Sequence, residues 1–286
     1  MIDLLLSTYN GERFLREQLD SLLAQTYTDW HLSVRDDGSV DGTLAILEEY
    51  CTKYPSKISL YQDELGNVGV KRSFEELLCH CATGDYLMFC DQDDVWLPHK
   101  IARFHRELCR MEEEYGNNVP LLVHGDMCVV DCALKELHPS FWEYSNLRPD
   151  LLDDNVHFLG ISNDITGCSC AFNQAARRVT LPFNPRTYMH DAWLGVSVLA
   201  HGGKITPIYE PTMLYRQHGS NTLGALEYTR SLMNWKFRWK LARQSYANSH
   251  PLVFKHVLSF VWWKLCYVCM RIMRKRSHDK STVLSQ

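Results

Sequence analysis

Strand-length apolar runs alternate with amphipathic stretches from Ile2 to Cys90, and this alternation constrains the fold more than any other feature of the chain. Ile2 to Leu6 reads as a short buried strand. From Glu12 to Gln25, Phe14, Leu15, Leu19, Leu22 and Leu23 share one helical face. Trp30, Leu32 and Val34 alternate as a strand would, and that strand stops at Asp36-Asp37-Gly38. Asp41-Gly42 opens a helix carrying Leu44, Leu47 and Tyr50. Ile58 to Tyr61 is a third strand, Val70 to Cys81 a third helix, and Tyr86 to Cys90 a fourth strand. Such repetition predicts βαβ units: an α/β fold with a mainly parallel sheet flanked by helices.

Ligands bind beyond the carboxyl ends of the strands in open sheets of this kind. Three polar clusters fall there: Ser7-Thr8-Tyr9-Asn10, Asp36-Asp37-Gly38-Ser39 and Asp91-Gln92-Asp93-Asp94. The last places three carboxylates within four residues of a buried strand. Concentrated charge of this kind calls for a cation, and hard oxygen ligands suit Mg²⁺ or Mn²⁺ bound together with substrate phosphates. A solvated acidic turn is the plainer alternative. No G-x-G-x-x-G follows the first strand and no G-x-x-x-x-G-K-[ST] occurs, so neither a dinucleotide fingerprint nor a P-loop is supported.

The second half is less regular. Leu121-Leu122-Val123 leads to His124-Gly125-Asp126, and residues 136–160 read as a long loop. A helix near 173–180, another from about 191 to His201-Gly202-Gly203, and a strand containing Ile205 and Ile208 follow. Tyr215 to Asn221 closes the globular part, which gives a domain over 1–225 and a helical, basic, Trp-rich extension over 226–286.

Charge separates the two parts. Residues 230–286 hold 12 Lys or Arg against one acid, Asp279, whereas residues 1–229 hold 18 bases and 33 acids. Trp235, Trp239, Trp262 and Trp263 lie in the basic segment, a mixture suited to an anionic membrane surface. Nucleic acid also attracts basic patches, but this segment is as apolar as it is basic, which favours membrane and argues against nucleic acid. Lys264 and Arg271 interrupt the apolar run 257–273, so an interfacial helix fits better than a span. A helix packed on the domain, or an oligomer contact, is the alternative. Eleven cysteines with no secretion signal point to a reducing compartment, hence the cytoplasm and the inner face of its membrane. Cys266 and Cys269 have C-x-x-C spacing with no second zinc-like pair, and read as small apolar residues.

Ser-Thr-Tyr-Asn-Gly at 7–11, Asp-Asp-Gly-Ser-Val-Asp-Gly-Thr at 36–43, Asn-Val-Gly-Val at 67–70 and Asp-Gln-Asp-Asp-Val-Trp at 91–96 occur in this order. His190-Asp191-Ala192-Trp193 and Tyr215-Arg216-Gln217-His218 follow. Together they resemble inverting glycosyltransferases of family 2, with the GT-A fold, over roughly residues 1–222. The pairing of the 91–96 motif with Tyr215–Asn221 is most similar to the bacterial rhamnosyltransferase-like branch, which builds surface polysaccharides.

The resemblance implies a nucleotide-sugar donor, dTDP-rhamnose or a UDP-sugar, and a glycan or lipid-linked acceptor. By similarity Ser7 and Tyr9 flank the pyrimidine, Asp37 accepts from its N3–H, and Asn67 and Lys71 lie near the nucleotide loop. Asp91 reaches the ribose or a metal-bound water, Asp93 ligates Mg²⁺ or Mn²⁺, and His218 reaches the metal or diphosphate. Asp191 is the implied base that deprotonates the acceptor hydroxyl; an aspartate at a helix start also suits an N-cap. Trp193 would wall the sugar site, and the segment from Asp164 to Cys170, with Gly167, would line the acceptor side. His124 and Asp126 are candidates for the same cleft. A sugar-phosphate nucleotidyltransferase would need a Gly-rich basic loop after the first strand, which Ser7–Gly11 is not. A non-catalytic nucleotide-sugar binder in a membrane assembly is the other alternative, and the intact Asp91, Asp93 and Asp191 argue against it.

Overall fold

A computed structural model of the protein describes residues 1–219 and 235–283. Ser220 and Asn221 of the Tyr215–Asn221 motif, and the 225/226 boundary, lie outside the described residues. The first half is β1 (Ile2–Thr8), α1 (Leu15–Leu23), β2 (Trp30–Asp36), α2 (Thr43–Lys53), β3 (Ile58–Leu60), α3 (Val70–His80) and β4 (Tyr86–Cys90). Then come β5 (Val95–Trp96), α4 (Lys100–Tyr115), β6 (Leu121–Gly125), β7 (Cys128–Val130) and β8 (Glu136–His138). Short helices α5 (Phe141–Tyr144), α6 (Pro149–Leu152) and α7 (Val156–Leu159) precede β9 (Cys170–Asn173) and α8 (Gln174–Thr180). The chain continues through α9 (His190–Ala200), β10 (Lys204–Ile208), β11 (Met213–Arg216), α10 (Trp235–Ser249) and α11 (Val257–Val283).

The main sheet has the order β10-β6-β9-β4-β1-β2-β3. Its strands run parallel except β9, which is antiparallel to both β4 and β6. Period-two alternation sorts the central strands between two cores. Leu4 and Leu6 of β1 enter one cluster with Leu15, Leu19 and Leu47, while Leu5 enters the other with Phe74 and Leu77. Helices cover both faces, which explains why a strand such as Tyr86–Cys90 is apolar throughout. A smaller sheet, β5-β11-β7-β8, is tied to the loop after β4 by Arg216 of β11, which bonds Asp93 and Asp94.

Two readings change. Residues 136–160 are not a structureless loop: they hold β8 and three four-residue helices, each too short to leave a periodic signature. The strand β9 went unread because its small residues, Cys170 and Ala171, carry little β signal. The described part of the extension, after residue 234, packs on the domain, as the alternative given above would have it. Asn248 and Ser249 are buried, donating to the carbonyls of Ala192 and Gly160 respectively. Phe254, Phe260 and Tyr267 join the second core cluster, and the Trp263 ring stacks on His157 of α7 at 4.1 Å. Among the described residues, no helix is long and apolar enough to cross a membrane.

Candidate active site

The carboxyl ends of β1, β2 and β4 meet at one edge, because β1 pairs in register with both neighbours (Thr8 with Asp36, Leu6 with Cys90). The two aspartates that end β2 are not equivalent. Asp36 closes the turn: it accepts from Thr8 Oγ1, from the Gly38 and Ser39 amides and from Ser39 Oγ. Asp37 is buried and accepts from the Val68 and Gly69 amides, both at 2.8 Å. It thereby fixes the loop bearing Asn67, whose backbone nitrogen would lie 3.5 Å from a side chain placed on Gly38. Gly38 has φ of +83°, the left-handed region that favours glycine. Beneath Asp37, the fully buried Arg35 bonds it at 2.6 Å and grips Asp63 with two nitrogens. Sequence reasoning missed Arg35, although a cation set between the alternating strand 30–34 and the paired acids 36–37 was a readable sign.

Tyr9 is half exposed, so its ring is open to a ligand. Its backbone is pinned to the acidic loop: Tyr9 N donates to Gln92 Oε1 at 2.9 Å and Gln92 Nε2 returns to Tyr9 O at 3.0 Å. Gln92, also missed, thus joins the β1 and β4 clusters. Ser7 Oγ donates to Ser73 of α3 at 2.7 Å. Lys71 points elsewhere than expected, donating at 3.1 Å to the carbonyls of Pro185 and Thr187. It ties α3 to the segment before α9 instead of reaching toward the nucleotide loop.

Asp91, Asp93 and Asp94 follow β4. Burial raises Asp91 to about 7, and the negative charges of Asp93 and Asp191 add to the effect. The Cys168 thiol lies within 4.8 Å of ligand atoms of Asp91 and Asp94, and the preceding Gly167 amide donates to Asp191, so one turn adjoins both the acidic loop and the start of α9. Asp93 Oδ2 lies 2.7 Å from His218 Nε2, so the pair expected from sequence is brought together across the fold. Asp94 is fully buried; its Oδ1 accepts from the Arg216 amide at 3.0 Å. The Arg216 guanidinium donates to the Asp93 and Cys132 carbonyls and to Glu17. A buried Lys100 donates to the Cys168 carbonyl and lies 3.9 Å over the Trp96 ring. Burial lowers it to about 8.

Asp191 is in the first turn of α9, whose N-cap is Met189. Its Oδ2 accepts from the Gly167 amide at 2.9 Å and its Oδ1 from the Ala192 amide. Each oxygen retains a lone pair, since an ionised carboxylate offers about four acceptor sites. Burial raises it to about 6 against the opposing effect of those amides, placing it near the range that suits a general base. His190 beside it is buried against Phe74 and Phe89 and pushed down to about 3, hence neutral. Trp193 does not wall this site: its Nε1 donates to the Thr180 carbonyl and its ring packs on the second cluster.

His124 and Asp126 also lie elsewhere. His124 pairs with Asp153 at 2.9 Å. Burial opposes its charge, yet Asp153 and Asp164 raise it to about 9. Asp126 accepts from Ser140 and from the Met127 and Trp142 amides, organising the 126–142 turn.

The donor set suits a hard divalent cation. Asp91, Asp94 and Cys168 present ligand atoms within 4.8 Å of one another. Asp94 Oδ2 is buried with no N–H or O–H donor among the described residues. Burial holds the Cys168 thiol well above its ordinary value, so it stays protonated and is a poor ligand. That leaves the carboxylates of Asp91 and Asp94, oxygen ligands of the kind Mg²⁺ or Mn²⁺ prefers, beside Asp93 of the same loop, which pairs with His218.

Comparison with known proteins gives the family and the fold. The chain is 29% identical over 236 residues to the dTDP-rhamnosyl transferase RfbG of Shigella flexneri, covering 77% of this chain and 74% of that one. A Bacillus subtilis protein named as a glycosyltransferase, EpsE, is 37% identical over 102 residues, 36% of each chain. The chain thus spans about a third of EpsE and three quarters of RfbG. Among solved structures, Staphylococcus aureus TarS 1-349 in complex with UDP-GlcNAc superposes with a TM-score of 0.59 at 14% identity, covering 92% of this chain and 81% of that one. The mannosyltransferase PcManGT of Pyrobaculum calidifontis, in complex with GDP-Man and Mn²⁺, gives 0.55 at 16% identity, covering 99% and 80%. These likenesses establish the GT-A fold. Residues 3–180 match the family described as Glycosyl transferase family 2, so the chain belongs to that family and is a glycosyltransferase.

Proposed function

We propose that the protein transfers a sugar from a pyrimidine nucleotide donor, with inversion, to a hydroxyl of a glycan or lipid-linked acceptor. The work is assigned to the cytoplasmic face of the membrane, in the synthesis of a surface polysaccharide. One observation carries this reading: Asp191 accepts from the Gly167 amide at 2.9 Å, and the next residue, Cys168, holds its thiol within 4.8 Å of ligand atoms of Asp91 and Asp94. In this reading the 167–168 turn joins a leaving-group end at the acidic loop to a base end at Asp191.

Tyr9 supplies an exposed ring for stacking on the base, beside Ser7. Asp37 has a carboxylate already oriented by two amides, with acceptor capacity left for an N3–H of uracil or thymine. Asn67 flanks it. Asp91 orients the ribose side of the donor. Asp93 and His218, with Asp91, would hold Mg²⁺ or Mn²⁺, which when bound offsets charge developing on the departing diphosphate. Asp191, held by the Gly167 amide, takes the proton of the acceptor hydroxyl as its oxygen attacks the anomeric carbon. The likeness to RfbG favours dTDP-rhamnose as donor; the likeness to TarS with UDP-GlcNAc supports a UDP-sugar as the second reading.

The test is donor hydrolysis and binding across UDP-, dTDP- and GDP-sugars with Mn²⁺, Mg²⁺ or EDTA. Turnover of dTDP-rhamnose that needs metal is the expected result. Turnover of a UDP-hexose alone would keep the mechanism and replace the donor. Preference for a GDP-sugar would remove the role given to Asp37.

A further inference from the structure

The outer face of α11 is apolar where a solvent-facing helix should be polar. Leu258, Val261, Trp262, Leu265, Val268 and Ile272 recur at helical spacing and form one stripe. Leu258 is 82% exposed, Trp262 65% and Leu265 58%. The opposite face is spent on the domain, with Phe260 and Tyr267 only 5% exposed. The helix is therefore two-sided: one apolar side builds the core and a second meets solvent.

Charge indicates what the second side meets. Lys264 and Arg271, two turns apart and half-buried, lie between the stripe and the domain, Lys264 over the Phe260 ring and Arg271 donating to the Asn146 carbonyl at 3.0 Å. Exposed Lys255 and His256 precede it, and Lys240 and Arg243 of α10 are also exposed. No Asp or Glu occurs between 230 and 278. A second copy seated stripe on stripe would bring these bases together, with no acid in residues 230–278 of either copy to offset them. An anionic bilayer supplies both an apolar interior for the stripe and negative charge for its borders.

We propose that this face of α11 docks the protein on an anionic membrane surface. The proposal deepens the transferase reading and rests on it for its purpose: presenting the cleft to a lipid-linked hydroxyl. The inner face of α11 packs on α7, and α7 packs on α9, the helix that begins with His190-Asp191. Docking would thus act on the acceptor side of the cleft through two helix contacts.

The experiment is flotation of the full chain with vesicles of phosphatidylcholine alone or of equimolar phosphatidylcholine and phosphatidylglycerol. Binding to the mixed vesicles, weakened by high salt, is expected. The double substitution Leu258→Glu/Leu265→Glu should lower partition about tenfold or more. Both residues are exposed, so lipid-free donor hydrolysis should persist and report an intact fold. That measurement keeps failure of docking apart from failure of the transferase reading. Absence of wild-type flotation, or unchanged flotation of the variant, would overturn the proposal. So would a lipid-free dimer, seen by light scattering, that the double substitution dissociates.

Discussion

His218 Nε2 lies 2.7 Å from Asp93 Oδ2, joining positions 125 residues apart. The contact depends on β11 pairing with β5, which brings Arg216 onto the acidic loop. Phe14 of the β1–α1 connection backs the imidazole, with ring centroids 4.8 Å apart. Two side chains so held act as a unit, and their substitutions should not add. Asp93→Asn keeps the size and loses the charge, so Mn²⁺ affinity should fall by at least about tenfold. His218→Ala should cost less, and the double substitution little more than Asp93→Asn alone. Calorimetric titration of Mn²⁺ in the presence of nucleotide reads all three. Unchanged affinity in both single variants would remove the pair from the metal site.

Asp191 sets the expected pH dependence. Burial raises it to about 6, and a base must be unprotonated to act, so kcat/KM should rise with pH through about 6 and then level off. Asp191→Asn should lower kcat by about 10²- to 10⁴-fold while donor affinity holds. The linkage to stability has the opposite sign. The folded carboxyl binds its proton more tightly than the unfolded one, at about 3.9, so its contribution to stability declines as pH rises from about 4 through 6. The Tm difference between wild type and Asp191→Asn should therefore move in the variant's favour over that interval. A flat kcat/KM profile between pH 5 and 8, with no effect of Asp191→Asn, would assign the base elsewhere.

What the sequence made legible is what depends on local pattern. The βαβ order follows from periodicity, and the acids at strand ends follow from where strands stop, so β1, β2, β4 and their three clusters were readable. Orientation was not. Nothing local tells that Cys170–Asn173 enters the sheet antiparallel, since only its neighbours β4 and β6 decide that. Side-chain direction was equally hidden. Trp193 and Asp191 share one motif, yet the helix turns them to different sides. Buried cations read like surface ones: Arg35 and Arg216 are each about 1% exposed, and their value lies in acids distant along the chain. Lys71 matched a motif position, but the carbonyls of 185 and 187, which claim its ammonium, are more than a hundred residues away.

Asp37 and Arg35 make a second test, one in which binding and stability change together. Arg35 is fully buried between Asp37 and Asp63. Asp37→Asn leaves that cation with a single carboxylate, and weakening a buried pair in this way costs about 3 kcal/mol. A denaturant midpoint measures the loss. The 67–69 loop also loses its anchor, so donor KM should rise while kcat with saturating donor changes little. Asp63 is held below the usual carboxylate range by Arg35. Its contribution is present above the unfolded value, about 3.9, and is lost as pH falls through the lower folded value. Asp63→Asn should therefore flatten the acid limb of the stability curve. Wild-type stability in Asp37→Asn would mean that Arg35 is satisfied without it.

Gly167 offers the sharpest test of how Asp191 is positioned. A side chain placed there would come within 2.6 Å of His190 Nε2, closer than real contacts allow. His190 has nowhere to go, with Phe74 at 4.2 Å and Phe89 at 4.7 Å between ring centroids. Gly167→Ala should therefore displace the start of α9 and, with it, the hydrogen bond from the Gly167 amide to Asp191. Misplacing a catalytic group by about 1 Å can cost about 10²-fold in rate, so kcat should fall by that order. Overpacking should lower stability by about 1–3 kcal/mol. Donor affinity should hold, because Asp37 and Tyr9 lie on other elements. Neither nitrogen of His190 has a hydrogen-bond partner among the described residues, so His190→Ala removes volume without breaking a polar contact. Adding it to Gly167→Ala should restore part of the lost kcat. If the double variant stays as slow as Gly167→Ala alone, crowding against His190 is not what places the base.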